Sequence, residues 1–265
     1  MEFEAGRPLL MGILNVTPDS FSDGGSYLTV GKAVEHALRM VDEGAAVIDI
    51  GGESTRPGYT AVDAGEEIAR VVPVISALKQ RDIPVPLSVD TTKAAVARAA
   101  LAAGAAVVND VSALADPAMP EVLRRYRAGC VVMHCRQLVP GVAAMPQIIE
   151  ELGRTIDLAV AQSGLPREFF MADPGIGFGK SDAQIFSILR DLDQLHQCGT
   201  EVLLGVSRKS FIGRTAGVAE PQRRLPGTLA VAVECRCRCQ MLRVHDVAAH
   251  RQALEIAASI QSNLR

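Results

Sequence analysis

The 265-residue chain has no excess of one charge sign: 27 basic side chains stand against 30 acidic ones, for a formal net charge of -3. Such a balance exerts no strong pull on nucleic acid or an anionic membrane, so neither is expected as a partner. Long apolar runs are also missing. Nothing approaches the roughly 20 uninterrupted apolar residues of a membrane span, and Met1 to Arg7 is too short and too acidic for a signal peptide, which together predict a cytoplasmic location. Six cysteines are too sparse for a disulfide scaffold and sit among apolar or basic neighbours, so reduced thiols are expected. Cys235, Cys237 and Cys239 form C-x-C-x-C, but in the helix predicted before the last strand their directions diverge, which argues against zinc. A glycine-rich turn after the first strand, the mark of an open doubly wound sheet, is absent too; that strand runs into NVTPDSFSDGG instead.

What the chain does have is a repeated unit. Eight short apolar runs end on or near a polar residue: Asn15, Glu53, Asp90, Asn109, His134, Asp173, Ser207 and Arg243. Parallel strands that deliver chemistry from their carboxyl ends read this way, and in a closed (β/α)8 barrel, or TIM barrel, all eight ends meet on one rim. The strands are predicted at 9–14, 45–50, 86–89, 106–109, 130–134, 169–172, 202–206 and 240–244. Helical spacing fills the intervals, as in Ala33, Val34, Ala37, Leu38 and Val41. Gly44, Gly104, Gly129 and Gly199 each precede a strand and are expected to end the preceding helix in the left-handed conformation. With 48% apolar residues the whole chain, 1–265, reads as one barrel domain. Three βα loops, 15–30, 51–62 and 134–143, exceed the usual 2–6 residues and are expected to act as mobile lids.

The strand ends carry the chemistry. Asp90 and Asp173 follow apolar residues, and a partly buried carboxylate needs hydrogen bonds or a cation. A planar heterocycle with adjacent N–H donors would satisfy one of them in a two-point fork, and Asn109 suits another edge of the same ring. The competing reading makes Asp90 the N-cap of the next helix. Ser207, Arg208 and Lys209, then Arg243 and His245, supply positive charge at the late strands, suited to an anionic leaving group. Arg243 and His245, two apart, face the same way, with Val244 turned into the wall. Asn15, a neutral oxygen ligand, could hold Mg2+ only together with substrate phosphates and water. His134 is placed at the rim, its neighbour Cys135 pointing the other way, so the two make a poor nucleophile–base pair. His36, His196 and His250 read as surface or boundary residues.

At these same positions the sequence resembles the dihydropteroate synthase family, the pterin-binding barrels targeted by sulfonamides. The resemblance is carried by MGILNVTPDSFSDGG from Met11, DIGGESTRPG from Asp49, SVDTTK from Ser88, VVNDVSA from Val107, DPGIGFGK from Asp173, GVSRKSFIG from Gly205 and RVHDV from Arg243. It implies a transferase that condenses 6-hydroxymethyl-7,8-dihydropterin diphosphate with 4-aminobenzoate, releasing pyrophosphate and 7,8-dihydropteroate for folate biosynthesis. It further implies that Asp90, Asn109, Asp173, Lys209, Phe178 and Met133 hold the pterin. Asn15, Arg56, Arg243 and His245 would take the diphosphate, Asn15 through Mg2+. Phe21, Thr55, Arg56, Pro57, Ser207 and Lys209 would shape the aminobenzoate side, with Lys209, Asp90, Asp173, Arg243 and His245 serving catalysis. A homodimer through barrel helices is implied as well.

Two segments depart from the family pattern. After strand five the family reads close to HMxGxPxxMQ, whereas this chain runs from His134 through Cys135, Arg136 and Gln137 to Pro140, Met145 and Gln147. Before strand eight a Gly-Ala pair is replaced by Cys239 and Gln240, which is expected to strain the helix end or shift the strand start. A pterin-binding methyltransferase barrel leaves SDGG, ESTRPG and SRKSFIG unexplained. A catalytically silent pterin-binding paralogue would be favoured by substitution of Arg56, Lys209 or His245, all present here.

Overall fold

The computed structural model describes residues 4, 6–17, 26–53 and 62–262. Eight parallel strands close into a barrel in sequence order: β1 (Leu9–Asn15), β2 (Val47–Gly51), β3 (Leu87–Asp90), β4 (Val107–Asp110), β5 (Gly129–Met133), β6 (Phe170–Asp173), β7 (Glu201–Leu204) and β8 (Met241–Val244). Closure is made by β1, where Met11 pairs with Val47 on one side and Arg243 on the other. Around the strands lie α1 (Ser26–Asp42), α2 (Ala64–Gln80), α3 (Ala94–Ala102), α4 (Met119–Tyr126), α5 (Ala144–Ser163), α6 (Asp182–Arg190), α7 (Ser210–Ala216), α8 (Leu225–Cys235) and α9 (Val247–Ser262). The eight strands predicted from the apolar runs are all present, with shifts of at most two residues at each end.

Strand alternation sorts the barrel into two apolar shells. Leu9, Met11, Val47, Val131, Met171, Leu203 and Met241 form a plug inside the barrel, while Leu10, Leu14, Ile48, Val89, Val108, Val132, Ala172, Leu204 and Leu242 belong to the larger core shared with the helices. Because successive residues on a strand face opposite sides, the positions two beyond the plug residues point into the barrel mouth. The plug is therefore a floor, and the polar ends of the strands stand on it.

Three of the four helix-ending glycines have positive φ: Gly44 at 106°, Gly104 at 114° and Gly199 at 69°. Gly129 does not. It opens β5, and the left-handed residue after α4 is Arg127, at φ 48°, whose guanidinium lies 5.5 Å over the Phe169 ring. The ring contact compensates a backbone conformation that costs an L-residue about 1–2 kcal/mol. His250, expected at the surface or a boundary, lies at neither: it is fully buried, with Nδ1 2.7 Å from the Asp246 carbonyl.

Loops 18–25 and 54–61, which hold most of the first two long βα connections, lie outside the described residues. The third, 134–143, joins β5 to α5 where expected. Gln147 fastens it: its Oε1 accepts from Val139 N at 2.8 Å, and its Nε2 donates to the carbonyls of Val142 and Ala143. At the other departure from the family pattern, α8 ends at Cys235, so Cys237 and Cys239 fall in the following turn rather than in the helix. The missing glycine leaves no left-handed residue between 236 and 240. β8 starts one residue later than predicted, although the Gln240 backbone already pairs with Val202 and Leu9 and its side-chain Oε1 accepts from Val202 N at 2.9 Å.

Candidate active site

At the carboxyl end of the strands the inward positions read, in order around the barrel, Asn15, Gly51, Asp90, Asn109, Met133, Asp173, Gly205 and Arg243. The two glycines leave room between polar neighbours. A Cβ on Gly51 would sit 3.7 Å from both Asn15 Oδ1 and Asp90 Oδ2, and one on Gly205 would sit 3.7 Å from Asp173 Oδ2. Met133 is buried yet belongs to neither apolar cluster, so its side chain is available to wall the mouth.

Arg243 organises the acidic half. Its Nε donates to Asp49 Oδ2 at 2.7 Å and its Nη2 to Asp90 Oδ2 at 2.7 Å. Asn109 Nδ2 donates to the same Asp49 oxygen at 2.9 Å. Burial opposes the arginine charge, but Asp49, Asp90 and Asp173 outweigh it and raise the guanidinium pKa above its ordinary value. Asp90, 4% exposed, is raised to about 7, chiefly by burial; Arg243 pulls it down, while Asp49, Glu67 and Asp110 push it up. Asp49 Oδ1 and Asp90 Oδ1 are buried with no partner among the described residues. A buried acceptor left unpaired costs about 1–3 kcal/mol, so the mouth favours a ligand that brings donors. The capping alternative for Asp90 fails: the first N–H of α3, that of Ala94, is taken at 2.8 Å by Asp116 Oδ2 from the loop after β4.

On the opposite side Asp173 Oδ1 accepts from Gly175 N at 2.7 Å. Burial raises the pKa of this carboxyl, with Lys209 the strongest charge acting the other way. Lys209 follows β7, donates to the Ile176 carbonyl and places Nζ 4.9 Å from the Phe178 ring centroid. Its pKa falls to about 8 through burial, despite Asp173, with Arg243 and Lys180 adding to the depression. Lys180 reaches the carbonyls of His134 and Phe178 at 3.2 and 3.1 Å. The DPG turn fits only glycine at its third place, because Gly175 has φ 67° and a Cβ there would lie 1.9 Å from the His134 carbonyl oxygen.

Ser207 and His245 touch across the β7–β8 boundary, with His245 Nδ1 2.9 Å from Ser207 Oγ. Arg208 is not one of the mouth cations. Its Nε donates to Asp246 Oδ2 at 2.9 Å and its Nη2 to the other carboxylate oxygen, so the charge expected from it at the mouth is already matched. His134 is not solvent-facing either: it is 2% exposed, and burial lowers its pKa to about 4. The ring is therefore neutral at pH 7, and the 3.2 Å approach of its Nε2 to Glu151 is not an ion pair.

Asn15, Asp90, Asn109, Met133, Asp173 and Arg243 thus share one mouth, with Lys209, Phe178, Ser207 and His245 at its β6–β8 side. Phe21, Thr55, Arg56 and Pro57 lie outside the described residues. Sequence reasoning passed over Asp49, although a charged residue inside the apolar run VIDI, at the inward phase of β2, was a readable sign. It also missed Lys93, whose Nζ donates to Glu53 Oε2 at 2.7 Å and to the fully buried Glu67 at 2.6 Å. Glu53 Oε1 in turn accepts from Val62 N at 2.9 Å. This cluster ties both ends of the loop after β2 to α2 and to the start of α3. Among the described residues no three His, Cys, Asp or Glu side chains gather as a metal site, and no helix is long and apolar enough to cross a membrane.

The model of the pterin binding enzyme family matches residues 11–245. A dihydropteroate synthase of Clostridium beijerinckii is 42% identical over 259 residues, covering 96% of this chain and 95% of that protein. Two solved structures of Xanthomonas albilineans dihydropteroate synthase superpose closely. One, with 4-aminobenzoic acid, has a TM-score of 0.88 at 44% identity and covers 96% of this chain and 93% of that one. The other, in complex with 7,8-dihydropteroate, has a TM-score of 0.87 at 42% identity and covers 96% and 94%. A shared barrel alone would leave the chemistry open, but identity at this level over nearly the full length does not: the chain belongs to the dihydropteroate synthase family of pterin-binding enzymes.

Proposed function

We propose that the chain joins 6-hydroxymethyl-7,8-dihydropterin diphosphate to 4-aminobenzoate, forming 7,8-dihydropteroate and pyrophosphate. The observation that carries this reading is the division of the mouth into a side with the buried acceptors Asp90, Asp173 and Asn109 and the Lys209 ammonium, and a side formed by Arg243 with His245. A pterin offers ring N–H donors to the first set and a diphosphate to the second. The neighbours bound to 4-aminobenzoic acid and to 7,8-dihydropteroate support both the second substrate and the product.

Each residue has a physical task in that reading. The C–O bond to the diphosphate breaks with its electron pair leaving on the anion, and the pterin methylene is left cationic and delocalised into the ring. Asp90 and Asp173, fixed before the reaction in a site of low water content, stabilise that charge better than mobile solvent. Met133 and Phe178 wall the ring, and Lys209 contacts it from the β7 side. Arg243 and His245 receive the departing anion. The aromatic amine then donates its lone pair to the methylene carbon and loses a proton. Ser207, with Phe21, Thr55, Arg56 and Pro57, forms the aminobenzoate side.

Asn15 faces the space left open by Gly51, and one neutral oxygen donor without an acidic cluster suits a metal held jointly with phosphate oxygens. Mg2+ at Asn15, with Arg56, would neutralise diphosphate charge. Six free cysteines support a reducing cytoplasmic location, and a homodimer is proposed, to be checked by sedimentation velocity. The functional reading is tested by following pyrophosphate release and dihydropteroate formation with and without 4-aminobenzoate. Lys209→Ala and Asp173→Asn should each reduce turnover by at least about 100-fold if they stabilise the transition state as oxyanion-type groups do. A wild-type protein that binds the pterin but forms neither product would overturn the assignment.

A further inference from the structure

We propose that Arg208 and Asp246 are positioning residues, a bridge that sets the spacing between the pterin-contacting Lys209 and the anion-contacting Arg243 and His245. The inference rests on the functional reading above, since it assigns those two groups to the two halves of one substrate.

The segments after β7 and β8 each carry two site residues, and in each the residue between or beside them faces elsewhere. Ser207 and Lys209 flank Arg208; Arg243 and His245 precede Asp246. Two side-chain links stitch the segments together in parallel. Ser207 Oγ accepts from His245 N at 3.2 Å and lies 2.9 Å from its Nδ1, and one residue further along Arg208 grips Asp246 through two nitrogens. A planar fork on a carboxylate fixes both distance and direction, which a single point contact cannot.

The backbone around Arg208 is built to hold that orientation. Arg208 is one of five non-glycine residues with positive φ among those described, at 58°. Its N–H donates to Thr228 Oγ1 at 3.1 Å, and its carbonyl accepts from Arg224 Nη1 at 3.0 Å. Thr228 is fully buried and donates in turn to the Arg224 carbonyl at 3.0 Å. On the other side the Asp246 carbonyl accepts from His250 N at 3.1 Å, with His250 Nδ1 2.7 Å away. A left-handed arginine held through its backbone by two partners and aimed at one carboxylate is over-determined, as strained residues at functional sites must be.

Charge placement argues the same way. The pair lines a cavity of about 420 Å³ whose walls include Ile13, His36, Glu43, Leu225 and His245 but none of Asp90, Asn109, Asp173 and Lys209. Arg208 therefore does not compete with Lys209 for the ligand. Its charge is spent on alignment, and the substrate, which must meet Lys209 and the Arg243–His245 pair at once, senses the alignment.

A two-headed ligand provides the test, because misregistration penalises simultaneous engagement without weakening either head alone. Arg208→Lys keeps the charge and loses the fork; Asp246→Glu keeps the charge and lengthens the bridge by one methylene. Binding of 6-hydroxymethylpterin, of inorganic pyrophosphate and of the pterin diphosphate is measured calorimetrically on wild-type protein and both variants, alongside kcat and KM. Expected is a loss of about tenfold or more in pterin diphosphate affinity and in kcat, with each separate half bound within about twofold of wild type. Parallel weakening of all three ligands, or no weakening of any, overturns the inference; if Arg208→Lys does not fold, Asp246→Glu decides by the same criterion. A wild-type protein that binds the pterin diphosphate no more tightly than its halves would overturn the functional reading and this inference with it, whereas the variant results bear on the bridge alone.

Discussion

Arg243 is held between two carboxylates, its Nε 2.7 Å from Asp49 and its Nη2 2.7 Å from Asp90. It stands on β8 and spans the mouth past β1 to reach residues on β2 and β3. In the proposed reaction Asp90 serves the pterin and Arg243 the diphosphate, and Arg243 occupies Oδ2 of Asp90 while Oδ1 has no partner among the described residues. Asp49, 0% exposed, is the more deeply buried of the two partners, and it holds Asn109 through the same oxygen.

Asp49→Asn should therefore impair substrate binding without touching substrate. One amide oxygen could still accept from both donors, which share a single Asp49 oxygen, but the negative charge that pairs with the Arg243 guanidinium is gone. Loss of a charge-assisted hydrogen bond, about 1.5–3 kcal/mol, predicts a rise of roughly tenfold to hundredfold in KM for the pterin diphosphate. The KM for 4-aminobenzoate should change much less. Steady-state kinetics with each substrate varied in turn checks the contrast, and equal rises would count against it.

The activity should fall on the alkaline side near pH 8. Lys209 has its pKa lowered to about 8, so its charge is present below that pH and is lost above it. Lys209→Arg keeps a charge throughout and should remove the alkaline limb of kcat/KM for the pterin diphosphate, even at reduced activity. Lys180, also lowered to about 8, is the control. An alkaline limb that survives in Lys209→Arg but shifts in Lys180→Arg would assign it to the wrong lysine.

Asp90 predicts a pH dependence of stability with the opposite sign from the usual surface carboxylate. Its native pKa of about 7 lies above its ordinary value of 3.8. The native state therefore keeps a proton that the unfolded chain has released. The stabilising contribution is complete below about pH 4 and is lost as pH rises toward 7. Thermal melts of ligand-free wild type and Asp90→Asn should show the wild-type advantage shrinking across that interval and levelling off above it. An advantage that grows with pH would mean that Arg243 holds the carboxyl ionised throughout.

The barrel was legible because its two periodicities are simple. Short apolar runs ending on a polar side chain are what a buried parallel strand must look like when only its carboxyl end meets water. Asp90, Asn109, Asp173 and Arg243 could be placed by the same logic. Asp49 breaks its run one pleat short of the end, so a reading keyed to run ends passes over it even though its charge inside VIDI marks it. Arg208 was misjudged because sequence shows a charge but not its partner, and Asp246 is 38 residues away. The left-handed residue after α4 was assigned to Gly129 on the general rule, whereas Arg127 occupies it with a ring contact no local pattern announces.

Gly175→Ala should be far more damaging than the same change at other left-handed glycines. Gly164 and Gly217 have φ of 67° and 68° with nothing within 4 Å of an added Cβ, so alanine there should cost only the left-handed penalty of about 1–2 kcal/mol. At Gly175 the methyl would lie 1.9 Å from the His134 carbonyl oxygen. The turn must shift, taking with it the N–H that binds Asp173 at 2.7 Å. Comparable melting temperatures for the three variants, with full activity in Gly175→Ala, would show that the turn has room to relax.

Lys93 is predicted to stabilise the fold through a debt it prevents rather than through the contact it makes. Glu67 is fully buried; among the described residues one of its carboxylate oxygens has no partner, and Lys93 is the only cation at hydrogen-bond distance from the other. Lys93→Met would leave that charge uncompensated. Breaking a fully buried pair costs about 3–5 kcal/mol, and because the Lys93 side chain is 26% exposed the expected loss here is nearer 2–3 kcal/mol. Adding Glu67→Gln to Lys93→Met should restore a large part of it, since the neutral amide no longer requires a cation. Glu53 separates this from a loop effect: Glu53→Gln keeps an acceptor for Val62 N and should cost under about 1 kcal/mol, in line with a partly solvated pair. Denaturant melts of the single and double variants measure all three, and additive losses for Lys93→Met and Glu67→Gln would refute the coupling.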